Sequence, residues 1–190
     1  MRRDEFVFED RAYIEKFLNS IEFGVLAIPD ELRAYAVPIS FCFHQDELYF
    51  HGAKSGRKYE LLKKQPKVSF SASKPYSYIP SSFLNGTMIP TQFFFSVFIE
   101  GKFEVVTQSQ KKKQMLEALV RKYEDESFIF KDGQENGVFT GVIKAETLSA
   151  KAKFGQNYND EKIAILIKDL ENRGNELDFE SIEWIKKLRL

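Results

Sequence analysis

Cysteine is nearly missing from this chain of 190 residues: Cys42 is the only one. A disulfide within the chain is therefore impossible, and a metal cluster built from cysteines is excluded. Cys42 lies inside an apolar, strand-like run and reads as a buried free thiol. Histidine is scarce too, with only His44 and His51. No carboxylates stand around them at the spacing of a metal motif, so no metal site is expected. There is no excess of charge of either sign: 28 Lys+Arg face 28 Asp+Glu, a formal net charge of +0. General nucleic-acid binding needs a basic surface that releases counterions, so no nucleic-acid partner is expected and any cationic site must be local. No apolar run nears the length of a membrane span. Residues 1–10 are charged and lack the apolar core of a signal peptide, so the expected setting is the cytoplasm, without a membrane.

What the chain does have is aromatic residues, 15% in all, with 19 Phe. Many fall in short runs with β character. Residues 10–20 read as a short helix, with Tyr13, Phe17 and Leu18 on one face. Residues 23–28 read as a strand ended by Pro29-Asp30. Residues 33–43 alternate at a period of two through Tyr35, Val37, Ile39, Phe41 and Phe43. Pro38 within that run demands a place where no backbone N–H is needed, such as an edge, a bulge or a ligand-facing position. His44-Gln45-Asp46 turns the chain into a strand at 47–51, making a hairpin. A helix at 56–64 is closed by Pro66, and a strand follows at 67–72. Residues 74–92 carry Pro75, Pro80 and Pro90 and read as a long loop. Strands at 93–106 and 138–154 flank a helix at 109–123 capped by Ser109, and 124–136 is polar and turn-rich. Two amphipathic helices, 160–172 and 178–190, close the chain. The expected layout is one mainly β domain over 1–158 with a C-terminal helical extension at 159–190. Several short strands with few helices favour a small barrel. Such a barrel fills its own interior, so a large ligand would sit on its outer surface or between subunits.

The chemistry concentrates in His51-Gly52-Ala53-Lys54-Ser55-Gly56-Arg57-Lys58, behind the strand Glu47-Leu48-Tyr49-Phe50. Glycine and alanine let backbone N–H groups approach a ligand closely. Ser55 offers a hydroxyl, Arg57 and Lys58 offer charge and donors, and a helix begins there. Together these suit a phosphate group. Lys54 sits in the turn beside them. His51 can act as a proton donor near neutral pH, or be an ordinary strand-end histidine held by backbone groups. Ser40 and Ser96 have no histidine-aspartate context, so a hydrolase triad is not supported. Phe93-Phe94-Phe95 reads as core strand rather than as a stacking platform, and Trp184 as an anchor for the last helix.

The ordered series Gly24-Val25-Leu26-Ala27, Ala36-Val37-Pro38-Ile39-Ser40-Phe41, Leu48-Tyr49-Phe50-His51-Gly52-Ala53 and Ser55-Gly56-Arg57-Lys58 resembles the pyridoxamine 5′-phosphate oxidase-like family. The resemblance lies nearest its flavin-nucleotide-binding, nitroimidazole-reductase-type branch. Phe95-Ser96-Val97 with Glu100-Gly101-Lys102, and Leu148-Ser149-Ala150-Lys151-Ala152-Lys153, resemble its later strands. The resemblance implies a six-stranded split β-barrel of Greek-key type, a homodimer, and FMN in a groove where the subunits meet. It implies that Ser55, Gly56, Arg57 and Lys58 hold the FMN phosphate, with His51, Gly52 and Ala53 beside it. Val37, Pro38, Ile39 and Ser40 would lie along the flavin ring, with Ser96 and Lys151 as further contacts. It also implies an oxidoreductase that takes electrons from NAD(P)H and passes them through FMN to a nitro compound, quinone, flavin or other small molecule. Of the chain's side chains only His51 stands out as a catalytic candidate. The tail Trp184-Ile185-Lys186-Lys187-Leu188-Arg189-Leu190 lacks the histidine with which the oxidase itself grips its substrate, which argues against true pyridoxamine 5′-phosphate oxidase activity. Two alternatives stay open. One is a flavin-binding or sensing protein without turnover. The other is a haem protein, whose axial ligand would come from His51, His44, Cys42, a methionine or a tyrosine.

Overall fold

The computed structural model of the protein describes residues 3–31, 33–124, 130–131 and 133–189. Among them the elements run β1 (Val7–Phe8), α1 (Arg11–Ser20), β2 (Phe23–Ile28), β3 (Tyr35–Ser40), β4 (Cys42–His44), β5 (Glu47–Gly52), α2 (Arg57–Leu62) and β6 (Lys67–Ile79). They continue with α3 (Phe83–Gly86), β7 (Thr91–Val105), α4 (Ser109–Val120), β8 (Phe139–Lys153), α5 (Asp160–Arg173) and α6 (Glu176–Lys187). The chain forms two compact units. One comprises Asp10–Ala72 and Val97–Ser149; the other comprises the N-terminal residues through Glu9, Ser73–Ser96 and the chain from Ala150 onward.

The first unit is the barrel. Its strand order is β3-β2-β6-β7-β8-β5-β4, and the registered pairs are antiparallel. β3 and β4 stand at opposite ends of that order, yet only Phe41 separates them in the chain. The sheet therefore curls until its two ends share one bent strand, the single strand expected at 33–43. Counted once, that strand makes a six-stranded split barrel. Three consecutive buried residues, Phe41, Cys42 and Phe43, mark the bend. Side chains satisfy the backbone there: the Lys122 ammonium donates to Phe41 O at 2.9 Å, and the Asn19 amide both donates to Phe43 O (2.7 Å) and accepts from Phe43 N (2.9 Å). Gln45 and Asp46, both left-handed (φ 51° and 60°), make the tight hairpin turn from β4 to β5. The interior is packed by Leu26, Ile39, Phe50, Phe70, Ile99, Phe103 and Ile143, so no cavity for a nucleotide remains inside it.

The split itself follows from the register. The β4–β5 ladder starts at His44↔Glu47 and ends at Cys42↔Tyr49. Beyond Tyr49, β5 keeps β8 on one side, through His51↔Thr140 and Gly52↔Phe139, and has no ladder on the other. Among the described residues β3 pairs only with β2, placing Pro38 opposite Val25 on a free edge, where its missing N–H costs nothing. The helix expected from 109 runs to Val120, and Ser109 is not its cap: Gln108 is, and the Ser109 hydroxyl donates to Glu135 Oε1 at 2.5 Å. Of the turn-rich stretch 124–136, residues 125–129 and 132 lie outside the described residues; residues 134–137 form a 3-10 turn.

The second unit is built around Trp184. Its indole stacks on Phe154 (5.0 Å, 8° between planes) and meets Phe8 and Phe95 at 5.6 and 5.3 Å. Phe93 and Phe95 are fully buried, so the Phe93–Phe95 run is core. Residues 74–92 are not one long loop. β6 continues to Ile79, α3 follows, and β7 begins at Thr91. Pro75 takes an exposed strand position, and the inward side changes phase just after it, at the consecutive buried pair Tyr76 and Ser77. Ser77 points inward because Asp178, 1% exposed, waits there to accept its hydroxyl at 2.6 Å. Arg173 completes that buried group, donating to Asp178 through Nε (2.8 Å) and Nη2 (2.5 Å).

Candidate functional site

The split of the barrel brings together most of the residues singled out in sequence. Val37, Pro38, Ile39 and Ser40 lie on the free edge strand β3, and His51 and Gly52 at the unladdered end of β5. Ile39 turns its side chain into the barrel, leaving only its backbone to meet a ligand. Ala53 and Ser55 are exposed in the turn that leads into α2. Ser96 and Lys151 belong to the second unit, where Lys151 pairs with Val7 across β1 and β8.

α2 is only six residues long, and it is pinned by Leu62, fully buried, and by Tyr59 against the Phe139 ring at 5.4 Å. Its N-cap is Gly56, not Ser55, with φ at 87°, a conformation that suits glycine. A Cβ at Gly56 would meet nothing within 4 Å, so the space over the turn is open. Gly52 is needed for a different reason. A Cβ there would lie 2.7 Å from the Phe139 ring and 3.2 Å from Lys58 Cε, so its absence lets the lysine stem lie across the strand.

The two cations of α2 turn out unlike one another. Arg57 is committed: Nε and Nη2 both donate to Asp30 Oδ2 (3.1 and 2.5 Å), and the guanidinium stacks over Tyr35 at 4.5 Å. Lys58 is half-buried, and among the described residues no acceptor or carboxylate pairs with it. Burial holds its pKa below the usual lysine value. Its charge reaches His51, whose pKa is lowered by desolvation first and by Lys58 second. This shift favours the neutral imidazole, which can donate from one nitrogen and accept at the other. Lys54 is spent on Asn136 O at 2.6 Å. Sequence reasoning missed Asp30 and Tyr35, because Pro29-Asp30 reads only as a strand terminator and Tyr35 only as part of a periodic run.

The remaining candidates fall away from chemistry. Burial pushes the Cys42 thiol up to about 12, so it is not a thiolate. His44 Nδ1 pairs with Glu15 Oε1 at 2.8 Å in the hairpin turn. Among the described residues no group of acidic, histidine and cysteine side chains could hold a metal, and no helix is long and apolar enough to cross a membrane.

The family model described as pyridoxamine 5′-phosphate oxidase matches residues 10–146. The chain belongs to this family. The matched span contains β2 to β7, the first half of β8 and the whole His51–Lys58 turn. None of the curated proteins matches the chain. Several solved structures share the family fold. A candidate 5-nitroimidazole antibiotic resistance protein from Bacteroides thetaiotaomicron is 22% identical, over 76% of this chain and 85% of that one, with a TM-score of 0.66. An FAD and haem binding protein from Mycobacterium smegmatis is 20% identical, over 83% and 78% of the chains (TM-score 0.68). The flavocytochrome Anf3 from Azotobacter vinelandii is 18% identical, over 86% and 77% (TM-score 0.69). At these identities the likeness establishes the split-barrel fold.

Proposed function

We propose that the chain binds FMN at the barrel split and works as a cytoplasmic, homodimeric oxidoreductase that draws electrons from NAD(P)H and reduces a small molecule. The observation that carries this reading is Lys58: a half-buried ammonium without a described partner, beside the open backbone at Gly56. A half-buried charge left unpaired lowers stability, and a phosphate group offsets that cost. Solved relatives described as binding FAD and haem support a flavin over other phosphate compounds. The free edge of β3, with Pro38 and Ser40 turned outward, suits the flat face of a flavin ring. Bound FMN would supply hydride and electron transfer. The chain's part is to hold the phosphate at Lys58, line the ring with β3 and present neutral His51 beside it.

The outer face of the barrel supports a second copy. Phe23, Val25 and Phe98 are 58%, 46% and 43% exposed there. Apolar surface of this kind marks an association site.

The test is the absorption spectrum of the purified protein, before and after adding FMN and then NAD(P)H without oxygen. A bound flavin spectrum bleached by NAD(P)H is expected. A colourless protein that takes up no FMN refutes the reading. A Soret band points to haem instead, and flavin binding without bleaching points to a sensor.

A further inference from the structure

α4 covers part of the outer face of β5. Leu116 and Leu119, both nearly fully buried, pack with Tyr49. His51 lies two residues further along the same face of β5, where this cover ends. The gap that remains is a cavity of about 380 Å³, within the size range of small-molecule sites. Its apolar walls are Leu116, Leu119 and Val120 of α4 with Phe130 and Val138, and Ser40, His51, Tyr123 and Gln134 supply polar groups. The Tyr123 hydroxyl donates to Glu22 O at 3.3 Å. Among the described residues no lysine or arginine lines the cavity, and the one carboxylate is the exposed Glu124. Apolar walls without a cation disfavour any anion, including a nicotinamide nucleotide. They favour an uncharged ring, and a few hydrogen-bonding groups among apolar walls suit a ring oxygen held by them.

We propose that this cavity is the acceptor subsite and takes an uncharged, planar aromatic compound of the quinone type. Its ring lies against Leu116, Leu119, Val120 and Val138, with a carbonyl edge at His51 and Ser40. Occupancy depends only on the cavity; turnover rests on the FMN reading above. In turnover the quinone takes a hydride equivalent from the reduced flavin and a proton from solvent at the rim, and leaves as the hydroquinone.

The probe is menadione, a neutral naphthoquinone, measured by equilibrium dialysis with flavin-free and FMN-loaded protein. FMN affinity is measured separately. Menadione should bind both forms. Val120→Phe and Val138→Phe fill the cavity from two sides, so either can stand in if the other fails to fold. Each should weaken menadione binding by about tenfold or more while changing FMN affinity less than about twofold. 1,4-Naphthoquinone-2-sulfonate, the same ring with a negative charge, should bind about tenfold more weakly than menadione. Three results overturn the proposal: menadione binding that ignores both substitutions, equal binding of the sulfonate, or displacement of menadione by FMN, which would make the cavity the seat of the flavin ring. Cavity-dependent menadione binding by a protein that takes up no FMN would sink the flavin reading and leave the subsite standing.

Discussion

Two charges removed from water, one in each unit, are treated in opposite ways. Asp178 is 1% exposed, and its carboxylate accepts from Arg173, Ser77 and the Asn175 N–H. Lys58 is half-buried, and no described group answers it. A buried charge with every lone pair met is part of the framework, and breaking it is costly. A half-buried charge left unmet weakens the free protein and is explained by what it binds. The same division runs through the surroundings. Trp184 sits among four aromatic rings, whereas Gly56 faces open space.

The comparison breaks most easily at Trp184. Trp184→Ala removes the centre of the second unit's core and should cost about 3–5 kcal/mol. A chemical denaturation curve checks this, and a loss under about 1 kcal/mol would show that the aromatic cluster is not the core it looks like. Asp178→Asn comes next, at about 3 kcal/mol, because the Arg173 guanidinium loses its counter-charge. The pH profile sharpens this. Burial pushes the Asp178 carboxyl up, but the bonds from Arg173, Ser77 and Asn175 more than offset it, and its folded pKa lies below the ordinary 3.8. A carboxyl depressed in this way contributes stability above that ordinary value and loses it as pH falls through the folded pKa. Wild-type protein should therefore lose stability below about pH 4, and Asp178→Asn should show a shallower fall in that window.

Sequence legibility follows the same line. The barrel strands could be read because their alternation is set by a single packed interior: Val37, Ile39 and Phe41 declare a period of two. Pro38 could be narrowed to an edge, a bulge or a ligand-facing position by its missing N–H, and the register makes it an edge. The second half of β6 could not be read. Its inward position at Ser77 is polar, and only the distant Asp178 makes a serine acceptable there; Pro75 then looks like a loop marker. At the site, the types were legible and the partners were not. Arg57 and Lys58 are equivalent neighbours in sequence. Asp30, 27 residues earlier, captures one of them and leaves the other.

Lys58→Ala should therefore separate stability from binding. Its melting temperature should stay within about 2 °C of wild type, since no bond is lost. FMN should bind about 10- to 100-fold more weakly, the worth of a charge-assisted hydrogen bond to phosphate. Isothermal titration checks this, and unchanged affinity would remove Lys58 from the phosphate site. The free protein gives a second signature. Burial lowers the Lys58 pKa from 10.5, so the folded state sheds this proton more readily than the unfolded one. Stability contributed by this group thus rises as pH climbs through the lowered value towards 10.5. That rise should vanish in Lys58→Met.

Arg57→Ala is the smallest effect and the most discriminating. Arg57 is already paired with Asp30 and stacked on Tyr35, and at 40% side-chain exposure the pair contributes at most about 1 kcal/mol. A guanidinium must leave that arrangement before it can serve a phosphate, so its net gain on binding is reduced by what it gives up. Arg57→Ala should weaken FMN binding by about fivefold or less, well short of Lys58→Ala. Asp30→Asn should tighten binding slightly, because the competing carboxylate is gone. If Arg57→Ala instead matches Lys58→Ala, and Asp30→Asn weakens binding, then Asp30 does not compete with the phosphate. It would aim Arg57 at it, and the contrast between the two cations would reduce to a difference in who orients them.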